Sequence, residues 1–273
     1  MVKSKIVLAI ALMVAAASAQ ALAIRDAGLF NNNTLAANDD LSTPLVNIGF
    51  SVNINGTSYS QLYVNNNGNV SFTNPISAYT PTGIINSAFP IIAPFWADVD
   101  TRGEGSGLAK YGAVAATSTS AASFGVNWID VGFYSNRADK LNSFQLILTN
   151  QGSGDFQIEF NYDKIQWETG EATSSAGTDG LGGNSARAGY TIGPSAAVEL
   201  LGSGVNGAFL DGGPNGTRLI GNSRGSDVLG RYIFNGRGGV IVPVEPPSNQ
   251  VPLPGTLALI GLGLIGFSKL RRK

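Results

Sequence analysis

Three carboxylates that stand close together, Asp98, Asp100 and Glu104, are the residues best suited to chemistry. Hard oxygen donors of this kind hold Ca²⁺, which takes roughly six to eight oxygen ligands. They run into Gly-rich sequence, but no EF-hand loop with its glycine and closing glutamate surrounds them. Carboxylates at a strand end also cap turns, so a Ca²⁺ site competes with a purely local role. No other cofactor is indicated. Asp98 and Glu168 can be imagined as a glycosidase pair, yet nothing in their spacing sets the separation that mechanism needs. Trp96, Trp128 and Trp167 present flat faces suited to sugar rings, but indoles more often fill a sheet-on-sheet core. Gly180-Leu181-Gly182-Gly183 opens no helix and so fails as a phosphate cradle. Asn32, Asn55, Asn69 and Asn215 sit in Asn-x-Ser/Thr sequons and read as ordinary loop residues.

What the chain lacks is equally informative. It has no cysteine and no histidine. Disulfides, thiol chemistry and a histidine-based serine or cysteine mechanism are therefore excluded. Lys3, Lys5, Lys269, Arg271, Arg272 and Lys273 lie at the two ends, and every acidic residue lies between them. Of the 17 bases, 11 remain in the middle against 18 acids, a net of −7. An acidic body is a poor match for a phosphate backbone, so nucleic acid is not an expected partner.

The two ends carry membrane chemistry. Residues 1–23 have a basic start, an apolar run over Ile6–Ala17 and small residues for cleavage. Ala21-Leu22-Ala23 is the expected cleavage site, with Ala17-Ser18-Ala19 as the alternative, and signal peptidase is the implied partner. The apolar run is shorter than the roughly 20 residues a membrane span needs. Residues 243–250 form a Pro-rich polar linker. Residues 251–273 then join Val251-Pro252-Leu253-Pro254-Gly255 to an apolar run, Leu257–Phe267, and a basic end. That run spans only part of a bilayer, and the terminal bases stay on the cytoplasmic side.

Between these ends, residues 24–242 read as β structure. Phe50, Val52 and Ile54 alternate with polar residues before the hairpin signal Asn55-Gly56. Tyr59–Val64 is the expected return strand, followed by the turn Asn65-Asn66-Asn67-Gly68. Pro90 and Pro94 limit Ala88–Val99 to an edge or irregular segment. Phe124–Phe133 is apolar on both faces. Phe144, Leu146 and Leu148 face Phe156, Ile158, Phe160 and Tyr162 across a second hairpin, and Tyr190–Ile192 and Arg231–Phe234 are short closing strands. A Gly/Ser/Thr-rich loop covers Glu168–Ala188. The expected fold is all-β: a single β-sandwich-like domain, flanked by an N-terminal signal helix and a short C-terminal hydrophobic helix.

Two resemblances rest on these residues. The ordered motif, apolar run and basic end of Val251–Lys273 resemble the PEP-CTERM sorting signal of Gram-negative bacteria, with Leu253 where the family most often has Glu. The resemblance implies cleavage near Pro252–Pro254 by an exosortase-like enzyme, transient anchoring in the inner membrane, and a link to exopolysaccharide and biofilm. The second involves Val64–Phe72, Ile91–Asp100, Phe144–Leu148, Phe160–Gly170, Ala188–Tyr190 and Gly230–Phe234. In this order they resemble the nidogen-like extracellular (NIDO) domain over roughly Gly49–Gly236. That resemblance implies adhesion or matrix association without catalysis. The expected function is a non-enzymatic surface or matrix protein that contacts extracellular polysaccharide or other surface proteins. A carbohydrate-binding module and a polysaccharide-processing enzyme are the alternatives.

Overall fold

In the computed structural model residues 22–172, 176–193 and 196–242 are described. Thirteen strands form among the described residues. They are β1 (Asn33–Thr34), β2 (Val46–Ile54), β3 (Thr57–Asn65), β4 (Asn69–Ser71), β5 (Ile91–Trp96), β6 (Ala109–Val114) and β7 (Ser123–Phe133), then β8 (Arg137–Gly152), β9 (Asp155–Lys164), β10 (Arg187–Thr191), β11 (Ala197–Glu199), β12 (Arg231–Arg237) and β13 (Val240–Val242). One sheet has the order β1-β6-β7-β8-β9-β12-β13 and the other β11-β10-β5-β4-β3-β2. Every strand pairing is antiparallel. The all-β sandwich expected from the sequence is the fold. The expected signal helix and C-terminal helix lie outside the described residues. No helix among the described residues is long and apolar enough to cross a membrane.

The hairpins follow from turn chemistry. Asn55 and Gly56 join β2 to β3 with φ of 48° and 83°, the left-handed pair that a type I′ turn demands. Ser153 and Gly154, at 54° and 84°, do the same between β8 and β9. On β8 and β9 the alternating residues Phe144, Leu146, Leu148, Phe156, Ile158, Phe160 and Tyr162 all point into the core. Aromatic rings tie the two sheets together. Trp128 stacks on Phe144 at 5.2 Å, Phe144 meets Phe95 of the opposite sheet at 5.2 Å, and Trp167 sits edge-on to Phe95 at 5.6 Å. Such pairs add ~0.5–1.5 kcal/mol each beyond their burial.

β5 corrects an expectation. Its two prolines predict an edge or irregular segment, yet β5 is an interior strand between β10 and β4, buried along its whole length. Pro90 precedes the strand, and Pro94 falls where the pairing with β10 skips register. A bulge leaves no ladder hydrogen bond for the missing N–H to make, so proline fits there. The Pro94 carbonyl accepts a hydrogen bond from the Tyr162 hydroxyl at 2.6 Å.

The outer face of the larger sheet is covered by the chain's own N-terminal segment. Phe30 packs so tightly over Gly125 that a Cβ there would lie 2.3 Å from the ring. Arg25 forms a bidentate pair with Glu159 at 2.7 and 2.9 Å, and Arg231 donates to the Ala23 carbonyl at 2.8 Å. Gln145, Asn127 and Asn161 complete this network, so the buried polar groups of β7, β8 and β9 find partners.

Candidate functional site

The β1–β2 loop, the β3–β4 turn and the exit of β5 meet at one end of the sandwich. The turn is the asparagine run expected from the sequence. In the fold Asn65, Asn66 and Asn67 are each at most 1% exposed. Asn66 Nδ2 donates to the carbonyls of Asp39 and Val99 at 2.5 and 2.6 Å. Asn67 Nδ2 donates to Asp40 Oδ1 at 2.8 Å, and its Oδ1 accepts from the Val99 N–H at 2.9 Å. Trp128 Nε1 donates to the Asn66 carbonyl at 3.1 Å, so the turn is also tied to the aromatic core. These bonds lock the loop carrying Asp39 and Asp40 against the segment carrying Asp98.

The result is a carboxylate cluster. One oxygen from each of Asp39, Asp40 and Asp98 lies within 4.8 Å of the others. Asp98 is 2% exposed. Asp98 Oδ2 and Asp39 Oδ1 are buried with no hydrogen-bond donor. Beside them lies a cavity of 170 Å³ lined by Asp39, Asp40, Tyr79, Asp98, Tyr134 and Ala172. Gly170 closes over Asp98, and a Cβ there would fall 2.1 Å from Asp98 Oδ2. Burial, and then the charges of Asp39, Asp40 and Asp100, push the Asp98 carboxyl up to about 8. Burial first, then Asp40 and Asp100, raises Asp39 to about 6, and burial also raises Asp40.

Sequence reasoning placed Asp98 with Asp100 and Glu104, and the structure groups it differently. Asp100 turns away to Arg102, which donates Nε and Nη2 to its two oxygens at 2.8 and 2.7 Å, while the Asn136 N–H adds 2.8 Å. Burial raises the Asp100 carboxyl, but these hydrogen bonds outweigh it and hold the group below the usual range. Glu104 sits on an exposed turn. Asp39 and Asp40 were missed because the contact is made across some 60 residues of chain. The Asp-Asp pair beside Asn38 was the only local signal.

The other candidates are absorbed by the fold. Trp96, Trp128 and Trp167 are all buried, and each indole N–H has a backbone partner, Ala78, Asn66 and Val131 respectively. None offers a face to a sugar. Glu168 is buried and accepts from the backbone N–H groups of Gly207 and Phe209 and from the Ser185 hydroxyl, at 2.7, 2.6 and 3.1 Å. Its oxygens staple the loop around Gly207–Phe209. Asn69, in one of the sequons, is buried.

The sign of the pH dependence at Asp98 follows from its raised value. An unfolded aspartate titrates near ~3.9. Between about pH 4 and 8 the folded chain keeps a proton at Asp98 that the unfolded chain has lost, so stability from this group falls as pH rises through that window. Urea unfolding in the presence of a chelator should show a steeper loss of stability from pH 5 to pH 8 in the native chain than in Asp98→Asn. Parallel pH curves would show that Asp98 titrates normally.

These features define a two-sheet β-sandwich with antiparallel strand pairing and a carboxylate cluster at one end. The model of the nidogen-like domain matches residues 60–237, and the chain belongs to that family. A PEP-CTERM protein-sorting motif matches residues 250–273 and takes in Val251, Pro252, Leu253, Pro254 and Gly255. Alpha-tectorin of Homo sapiens is 35% identical over 174 residues, which is 57% of this chain and 8% of that protein. Nidogen of Drosophila melanogaster is 27% identical over 194 residues, covering 62% and 14%. The chain therefore matches less than a sixth of the length of these relatives. No solved structure matches it. The family match begins after Asp39 and Asp40, so the cluster draws one carboxylate from the matched segment and two from the sequence ahead of it.

Proposed function

We propose that this chain is a non-enzymatic structural or adhesive protein of the cell surface or extracellular matrix of a Gram-negative bacterium. One observation carries the reading: a nidogen-like domain and a PEP-CTERM sorting motif occur on the same chain. The motif supports export and processing by an exosortase-type enzyme, with the apolar run after Gly255 as a transient inner-membrane anchor. The sandwich then presents its loops to extracellular polysaccharide or to other surface proteins, in a biofilm or exopolysaccharide setting. The absence of cysteine and histidine, and the engagement of Glu168 with backbone donors, support a passive role. Washed extracellular matrix from the producing strain should retain the protein, and a strain lacking the gene should lose cell–matrix cohesion. Recovery of all the protein as a free solute, with cohesion unchanged, would rule the adhesive role out.

The N-terminal segment bears on the other processing event. The Ala23 carbonyl is held by Arg231, and Ala23 is buried against the domain. Cleavage after Ala23 would remove that anchor, whereas cleavage after Ala19 leaves it whole. With the expected cleavage after Ala23 the exported protein begins at Ile24 and the domain folds without that contact, as read by N-terminal sequencing. A start at Gln20 would mean cleavage after Ala19 instead.

A further inference from the structure

We propose that Asp39, Asp40 and Asp98 bind a divalent cation, Ca²⁺, at the end of the sandwich where the β1–β2 loop, the β3–β4 turn and the exit of β5 meet. The geometry suits one ion. Ca²⁺ binds oxygen at about 2.4 Å, so two of its ligands can lie no more than about 4.8 Å apart. The three carboxylates meet that limit. Asp98 Oδ2 and Asp39 Oδ1 are shut away from water yet receive no hydrogen bond. Leaving such oxygens without a donor is costly, and a cation supplies the missing partner.

Protein cations do not fill the gap. Arg102 spends its bidentate contact on Asp100 and reaches Asp39 only through Oδ2, at 2.9 Å. Asp40 has a neutral donor, Asn67, on Oδ1. The site is held before any ion arrives, because Asn66 and Asn67 bind the backbone or side chains of the segments that bear all three ligands. The adjoining cavity of 170 Å³ leaves room for the water ligands that complete a Ca²⁺ shell. A softer metal is disfavoured, since the chain has no histidine or cysteine to supply a nitrogen or sulfur ligand.

The test uses exported protein stripped with EGTA and melted with CaCl₂ at about 10 mM or with KCl at matched ionic strength. Extracellular Ca²⁺ modules bind at about 10⁻⁴–10⁻³ M, so Tm should rise by roughly 3–10 °C with Ca²⁺ over KCl. Asp98→Asn and Asp40→Asn should each abolish the rise and, because the near-isosteric amide keeps the packing, melt close to the stripped native protein. Glu104→Gln should keep the full rise. If Asp98→Asn does not fold, the partly exposed Asp40 decides the matter alone. Tb³⁺ gives a second readout: excitation of Tyr79 and Tyr134, which line the cavity, should yield luminescence that Ca²⁺ displaces. A native rise under about 1 °C, or an equal rise in Asp40→Asn, overturns the proposal.

Discussion

Gly68→Ala is expected to prevent folding at 37 °C, whereas Gly56→Ala should cost only about 1 kcal/mol. Both glycines have left-handed backbones, with φ of 73° and 83°. They differ in what surrounds them. A Cβ on Gly56 meets nothing within 4 Å, but one on Gly68 falls 1.8 Å from the Phe95 carbonyl oxygen and 3.2 Å from the Phe144 ring. Relieving that overlap means separating the asparagine turn from β5. The turn holds the Asp39–Asp40 loop and receives the Trp128 N–H, so core and cluster would be lost together. We expect a loss above roughly 4 kcal/mol, in the range reserved for backbone strain combined with core disruption. Equal midpoints for the two variants in urea would mean that the sheet gives way easily at this point.

Trp128→Ala is expected to lose about 3–5 kcal/mol, the usual range for deleting a buried indole. The side chain has no exposed surface, stacks on Phe144 and donates to the Asn66 carbonyl. Its removal would leave a cavity and also orphan a buried backbone acceptor. The experiment separates a core residue from a sugar platform. A platform residue would lower glycan binding while leaving the melting temperature in place. A core residue lowers the melting temperature by roughly 6–20 °C, at roughly 2–4 °C per kcal/mol for a domain of this size. Unchanged melting in Trp128→Ala would place the indole outside the core.

Local patterning reaches some parts of this molecule and not others. β2–β3 and β8–β9 are legible because alternation and left-handed turn residues agree, and both signals act within a few residues. β5 is not, because Pro94 is accommodated by a register skip against β10, a partner roughly 90 residues away in the chain. The asparagine run shows the same limit. Asn65-Asn66-Asn67-Gly68 has the composition of a solvated turn, and only the tertiary fold supplies the carbonyls and carboxylates that let it be buried. The carboxylate cluster was half legible. Asp98 is in it, but proximity in sequence suggested Asp100 and Glu104, whereas topology supplies Asp39 and Asp40. The sorting segment needs no topology, and its order of motif, apolar run and basic end could be read directly.

The sorted-matrix role turns on what happens to that segment after export. Intact-mass and peptide mass spectrometry of the protein recovered from the cell surface and medium tests it most directly. A C-terminus near Pro252–Pro254, with Arg271–Lys273 absent from every exported molecule, is the predicted result. Exported protein that still ends at Lys273 would contradict processing by an exosortase-type enzyme and the sorted-matrix role built on it.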